Sequence, residues 1–122
     1  MATSNLVYSY SRCSTCRKAL TWLKDNGIPF ETLDIVETPP STEQLTMALN
    51  QLGAIKNLFN TSGKSYRELG AETVKAMNET EAIQALALDG KLIKRPFLID
   101  SNKNILIGFK LDEWNKFFLD KS

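Results

Sequence analysis

The sequence predicts an α/β fold: a βαβ unit, a helical insertion and a closing ββα unit around a mixed four-stranded sheet. Three observations carry this expectation. A short apolar run leads into Cys13-Ser14-Thr15-Cys16, after which apolar residues recur at helical spacing. A second run, alternating apolar and polar, follows directly after Gly27 and Pro29. Two apolar runs near the C-terminus, separated by Ser-Asn-Lys, form a hairpin signal ahead of an aromatic-rich helical stretch. With 122 residues, 43% of them hydrophobic, the chain suits one domain over residues 1–122 with the helical insertion at about 41–90.

The elements follow in order. Leu6 to Tyr10 reads as a strand, and the segment from Arg12 to Thr15 connects it to a helix from Cys16 to about Asn26. Ala19, Leu20 and Leu23 mark the apolar face of that helix, Gly27 stops it and Pro29 blocks its continuation. Phe30 to Val36 reads as a second strand, parallel to the first because a helix joins them. Pro39-Pro40 break the pattern. Ser41 then caps a helix, with Gln44 completing a capping box and Leu45, Ala48, Leu49 and Leu52 on its inner face before Gly53. The stretch from Ile55 to Gly70 is mixed, with a helical turn at Asn57-Leu58-Phe59 and a loop at Asn60–Gly63. Two short helices follow, near Ala71–Met77 and Glu79–Leu88. The hairpin takes Phe97–Asp100 and Asn104–Ile107, and the last helix runs from Leu111 to Leu119 with Trp114, Phe117 and Phe118 in or near the core.

Cys13 and Cys16 are the only cysteines, and they stand where the first strand hands over to the first helix. That spacing and place are the sequence form of a redox dithiol, with half a metal site or a buried pair as the other readings. The free N–H groups and positive dipole end of a helix favour an anion, so they favour thiolate over thiol. A second thiol one turn on can resolve a mixed disulfide. Ser14 or Thr15 is placed to cap the helix, a contribution of about 1 kcal/mol. Arg12, Arg17 and Lys18 surround the pair. They read equally as a solvated helix start or as a field that draws glutathione carboxylates or an acidic partner. Arg95 precedes Pro96 ahead of an apolar run, and pre-proline geometry projects it away from that strand toward a site.

Composition removes several alternatives. With no histidine, Ser-His-Asp and Cys-His catalysis are excluded and the commonest transition-metal ligand is absent. Zinc would need two ligands beyond the cysteines, so no metal site is expected. A net charge of +1 supplies no global drive toward nucleic acid or membrane. No apolar stretch approaches the roughly 20 residues that span a bilayer. The opening Met1-Ala2-Thr3-Ser4-Asn5 lacks the pattern of a secretory leader, so a cytoplasmic location is expected. No Gly-rich phosphate motif appears, so no bound cofactor is expected.

The order βαβ, helices, ββα is that of a thioredoxin-like fold with helices inserted between its halves. The run Cys13-Ser14-Thr15-Cys16-Arg17-Lys18-Ala19 resembles the active-site opening of the ArsC/Spx family. The resemblance continues through Gly27-Ile28-Pro29-Phe30, Pro39-Pro40-Ser41, Asn57-Leu58-Phe59-Asn60, Tyr66-Arg67-Glu68-Leu69-Gly70, Lys94-Arg95-Pro96 and Gly108-Phe109. It implies that Cys13 is the nucleophile, that Arg95 sets a positive group beside the reactive sulfur, and that Pro96 is a cis-proline facing the active-site turn. Cys16 is then the resolving thiol, and Arg12, Arg17, Lys18 and Pro96 are the candidate substrate- or glutathione-binding residues.

The family includes arsenate reductases, Spx-type redox regulators that bind RNA polymerase, and small proteins described as thiol reductases. The chain most resembles the small thiol-reductase and Spx- or MgsR-like branch. Arsenate reductases use further arginines to hold the oxyanion. Asn60 stands at one such position, and the region of another offers Lys110 but no arginine. Lysine does not replace the guanidinium fork. The Spx-type regulators share the cysteine pair and the Arg-Pro dipeptide but usually carry a longer charged tail, whereas this chain stops at Leu119-Asp120-Lys121-Ser122. The leading expectation is a thiol–disulfide oxidoreductase with glutathione as co-substrate, or with glutaredoxin or thioredoxin as reductant. A redox-sensing regulator that binds the RNA polymerase α subunit is the alternative, and arsenate reduction is the third reading.

Overall fold

The structure is a computed structural model that describes residues 5–119. The readings made on Met1–Asn5 and on the tail Leu119–Ser122 lie outside these residues except at Asn5 and Leu119. Strand β1 (Asn5–Ser9) leads to helix α1 (Ser14–Asp25) and strand β2 (Phe30–Asp34). Helices α2 (Thr42–Leu52), α3 (Lys64–Leu69), α4 (Ala71–Ala76) and α5 (Glu79–Leu88) follow, with 3-10 turns at Ile55–Leu58 and Gly90–Leu92. Strands β3 (Phe97–Ile99) and β4 (Ile105–Ile107) and helix α6 (Leu111–Phe118) close the chain.

The sheet order is β2-β1-β3-β4. β1 runs parallel to β2 and antiparallel to β3, and β3 pairs antiparallel with β4. The fold is thus the expected mixed α/β sheet of thioredoxin-like type. Successive strand residues point to opposite faces. Tyr8, Phe97, Ile99 and Ile105 therefore join a core with Ile35, Leu45, Leu58, Leu86 and Ile93 beneath the helical insertion. Val7, Leu98 and Leu106 meet Ala19, Leu23 and Trp114 of α1 and α6 on the other face. Both faces of β3 and β4 are covered, which explains their continuous apolar sequence.

Local differences from the sequence reading have identifiable causes. β2 ends at Asp34 rather than Val36 because the Asp34 carboxylate accepts the backbone N–H of Val36, at 2.8 Å, and of Glu37, at 3.2 Å. That local turn competes with the ladder. Helix α3 lies within the segment read as mixed, bounded by Gly63 and Gly70 and only six residues long. The capping box of Ser41 and Gln44 forms as expected.

The insertion is tied to the sheet on the side of the cysteines. Phe59 and Ile93 form an isolated antiparallel bridge. On either side of it, Asn60 N–H donates to Leu92 O and Lys94 N–H donates to Leu58 O, both at 2.8 Å. Gly90 packs so closely on the turn that follows β2 that a Cβ there would lie 1.8 Å from the Ile35 carbonyl oxygen. These contacts hold the loop from Lys91 to Pro96 against both the insertion and the sheet.

Candidate active site

The turn from Tyr10 to Cys13 is closed by the Cys13 N–H donating to Tyr10 O at 3.0 Å. Helix α1 starts at Ser14, and Cys13 itself is the N-cap, in extended conformation (φ −103°, ψ 109°). Its Sγ accepts the Cys16 N–H at 3.1 Å. This corrects the expected cap at Ser14 or Thr15: the sulfur fills the place of a capping oxygen. The first turn of α1 contains no acidic residue, so no carboxylate there offsets the positive end of the helix dipole.

Cys13 is partly exposed, whereas Cys16 has no exposed surface. Burial, and then the adjacent Cys13 side chain, push the Cys16 thiol from 9.0 up to about 12. Contacts from the Tyr10 backbone and the Ser9 side chain act in the opposite direction.

Cys13 opens into a cleft of about 490 Å³. Arg12, Lys94, Arg95 and Lys110 supply its cations, and no carboxylate lines it among the described residues. Arg95 is fixed by two contacts. Its guanidinium carbon lies 5.0 Å from the centroid of the Tyr10 ring, within cation–π range, and one terminal nitrogen donates to Lys91 O at 3.3 Å. Its buried Nε has no hydrogen-bond partner among the described residues. The Arg95–Pro96 peptide bond is cis. On the far wall, Gly108 N–H donates to Pro96 O at 2.9 Å, and Trp114 Nε1–H donates to Gly108 O at 3.0 Å. Gly108 has φ +76°, and a Cβ there would meet the Lys94 side chain at 3.2 Å. Glycine therefore lets Lys94 cross this wall.

The fold brings Cys13, Arg12 and Arg95 together and leaves other candidates aside. Arg17 donates to Ser11 O at 2.7 Å, holding the turn, and does not line the cleft. Lys18 is exposed outside the cleft, and Pro96 is fully buried behind it. Asn60, Ser62, Gly63 and Lys94 line it without having been proposed as site residues from sequence. The signal for Lys94 was its position next to Arg95. Asn60 and Lys110, read as places where an arginine is missing, both face the cleft region. No cluster of three or more His, Cys, Asp or Glu side chains able to hold a metal occurs among the described residues. No helix among them is long and apolar enough to cross a membrane.

Comparison with known proteins fits this geometry. Residues 8–117 match the ArsC family. The chain belongs to the ArsC family. It is 43% identical to YusI of Bacillus subtilis, over 89% of this chain and 93% of that protein. It is 31% identical to the regulatory protein MgsR of Bacillus subtilis, over 87% and 83% of the two chains. With the global transcriptional regulator Spx of Lactiplantibacillus plantarum the identity is 25%, over 92% and 84%. The crystal structure of an ArsC-family-related protein from Bacteroides fragilis superposes with a TM-score of 0.86 at 40% identity, covering 95% of this chain and 98% of the other.

Proposed function

We propose that this protein is a cytoplasmic thiol–disulfide oxidoreductase acting through Cys13 and Cys16. The observation that carries this reading is a partly exposed sulfur at a helix N-cap, facing a cleft with four cations and no carboxylate among the described residues. The Cys13 thiolate attacks one sulfur of a substrate disulfide. A Cys13–sulfur bond forms, the substrate S–S bond breaks, and the second substrate sulfur leaves as a thiolate. That thiolate takes the proton of Cys16. The Cys16 thiolate then attacks Cys13 Sγ, closing the Cys13–Cys16 disulfide and releasing the first substrate sulfur. Two electrons pass from the protein dithiol to the substrate. Glutathione, or the dithiol of glutaredoxin or thioredoxin, returns them.

Arg95 stabilises sulfur anions in the cleft, and Arg12 engages substrate carboxylates. Arg17, Lys18 and Pro96 take no direct part in this step. Cys13→Ser abolishes reduction of disulfide or glutathionylated substrates, and Cys16→Ser accumulates mixed disulfides. Equal turnover by wild type and Cys13→Ser would overturn the reading.

Similarity to MgsR and Spx favours a second reading: a redox-switched regulator that binds the RNA polymerase α subunit. A stable, oxidant-sensitive polymerase complex in a pull-down, together with negligible reductase turnover, would establish it. Arsenate reduction is less well served, because Arg12 and Arg95 are the only guanidinium groups lining the cleft among the described residues. Arsenate-dependent NADPH consumption in a glutathione–glutaredoxin assay would revive it.

A further inference from the structure

The cleft at Cys13 adjoins two further hollows, and Asn60 lines all three, so together they form a larger trough. It shares Asn60, Ser62 and Lys94 with a hollow of about 460 Å³ that adds Lys56. It shares Arg12, Asn60, Gly63 and Arg95 with a hollow of about 380 Å³ that adds Lys64 and Lys91. Glu68 is the one carboxylate lining the three hollows among the described residues, and it lies 3.9 Å from Lys64. Arg12, Lys56, Lys91, Lys94 and Lys110 are exposed and make no ion pair among the described residues. The whole chain carries 15 basic and 14 acidic residues. The trough is therefore a segregated patch on a nearly neutral protein.

A compact disulfide at Cys13 meets Arg12 and Arg95 but not Lys56 or Lys91, which stand in the two adjoining hollows. Only a larger ligand reaches all three. We propose that the preferred substrate is a polypeptide disulfide with acidic residues near the reacting sulfurs, its carboxylates seated in this trough. A nucleic acid would also match the charge, but it has no sulfur–sulfur bond to present to the Cys13 thiol. This proposal rests on the oxidoreductase reading and names its substrate class.

The test follows mixed-disulfide formation on Cys16→Ser by mass spectrometry, with substrate consumption by the wild type measured in parallel. The substrates are three peptide disulfides of one core sequence, flanked by glutamate, serine or lysine, and the small uncharged bis-hydroxyethyl disulfide. The glutamate-flanked peptide should react at least about tenfold faster than the serine-flanked one, with the lysine-flanked peptide slowest. The preference should collapse in about 1 M salt, where the screening length falls to roughly 3 Å. Lys56→Glu combined with Lys91→Glu should lower the glutamate-to-lysine rate ratio toward one. Reaction of the small disulfide with equal rates for the three peptides would overturn the proposal and leave the oxidoreductase reading standing. Equal peptide rates with a single-stranded DNA oligomer bound in the trough would assign the patch to nucleic acid instead. Reaction with none of the four would overturn both.

Discussion

Cys16 is protected by the fold in a way that chemical labelling can read. The perturbation is alkylation of the reduced protein with iodoacetamide near neutral pH, folded and in urea. With the thiol pushed to about 12 by burial and by Cys13, against 9.0 ordinarily, its thiolate population falls steeply. At about pH 7 roughly one Cys16 in 10⁵ is ionised, against roughly one in 10² for an unperturbed thiol, so labelling slows about a thousandfold. Its complete burial slows reagent access further. Tandem mass spectrometry after timed quenching should find Cys13 alkylated alone in the folded protein and both cysteines in urea. Cys16 labelling in the folded protein at its urea rate would refute the reasoning. The same displacement makes stability depend on pH. A group whose pKa is raised by folding stabilises fully below its unfolded value and loses that contribution as pH rises through the folded one. The fold should therefore weaken between about pH 9 and about 12, by up to roughly 4 kcal/mol. Cys16→Ala should flatten that alkaline limb in urea titrations.

Three further outcomes are expected. Trp114→Phe removes the indole donor from Gly108 O in a fully buried position, costing about 2 kcal/mol. At this chain length that is about 8 °C in Tm by calorimetry, and an unchanged Tm would refute the role given to that bond. Gly90→Ala should destabilise by about 3 kcal/mol, because its Cβ would collide with the Ile35 backbone rather than with a movable side chain. Denaturant midpoints check this. Arg95→Leu should lower kcat/KM for a disulfide substrate by about tenfold or more, and Arg95→Lys should recover only part, since lysine keeps the charge but not the flat guanidinium stacked on Tyr10. Full activity in Arg95→Leu would remove Arg95 from the mechanism.

The fold was legible wherever hydrophobic period and punctuation agreed. The alternation in β2, the proline pair before α2 and the Ser41–Gln44 box state their structures locally. Helix α3 was not legible, because six residues between two glycines give too little periodicity to separate a helix from a loop. The Cys13 cap escaped because serine and threonine beside it are the usual capping residues, whereas the sulfur's role depends on where the turn from Tyr10 closes. The cysteine pair and Arg95 could be found in sequence. Asn60 was marked there only by the family resemblance and Lys94 only as the neighbour of Arg95, because their place in the cleft depends on the Phe59–Ile93 bridge between segments distant in the chain.

That bridge also sets an order of events during synthesis. Cys13 and Cys16 leave the ribosome early, in a βαβ segment that is complete by Asp34. Asn60, the loop through Lys94 and Arg95, and finally Lys110 emerge later. A nascent chain thus exposes its thiols before it owns the cationic wall opposite them. The assembled chemistry is withheld until the segment from Lys94 to Lys110 has been made and folded back, so a chain truncated before Lys94 would carry the cysteines without the reactivity proposed for them.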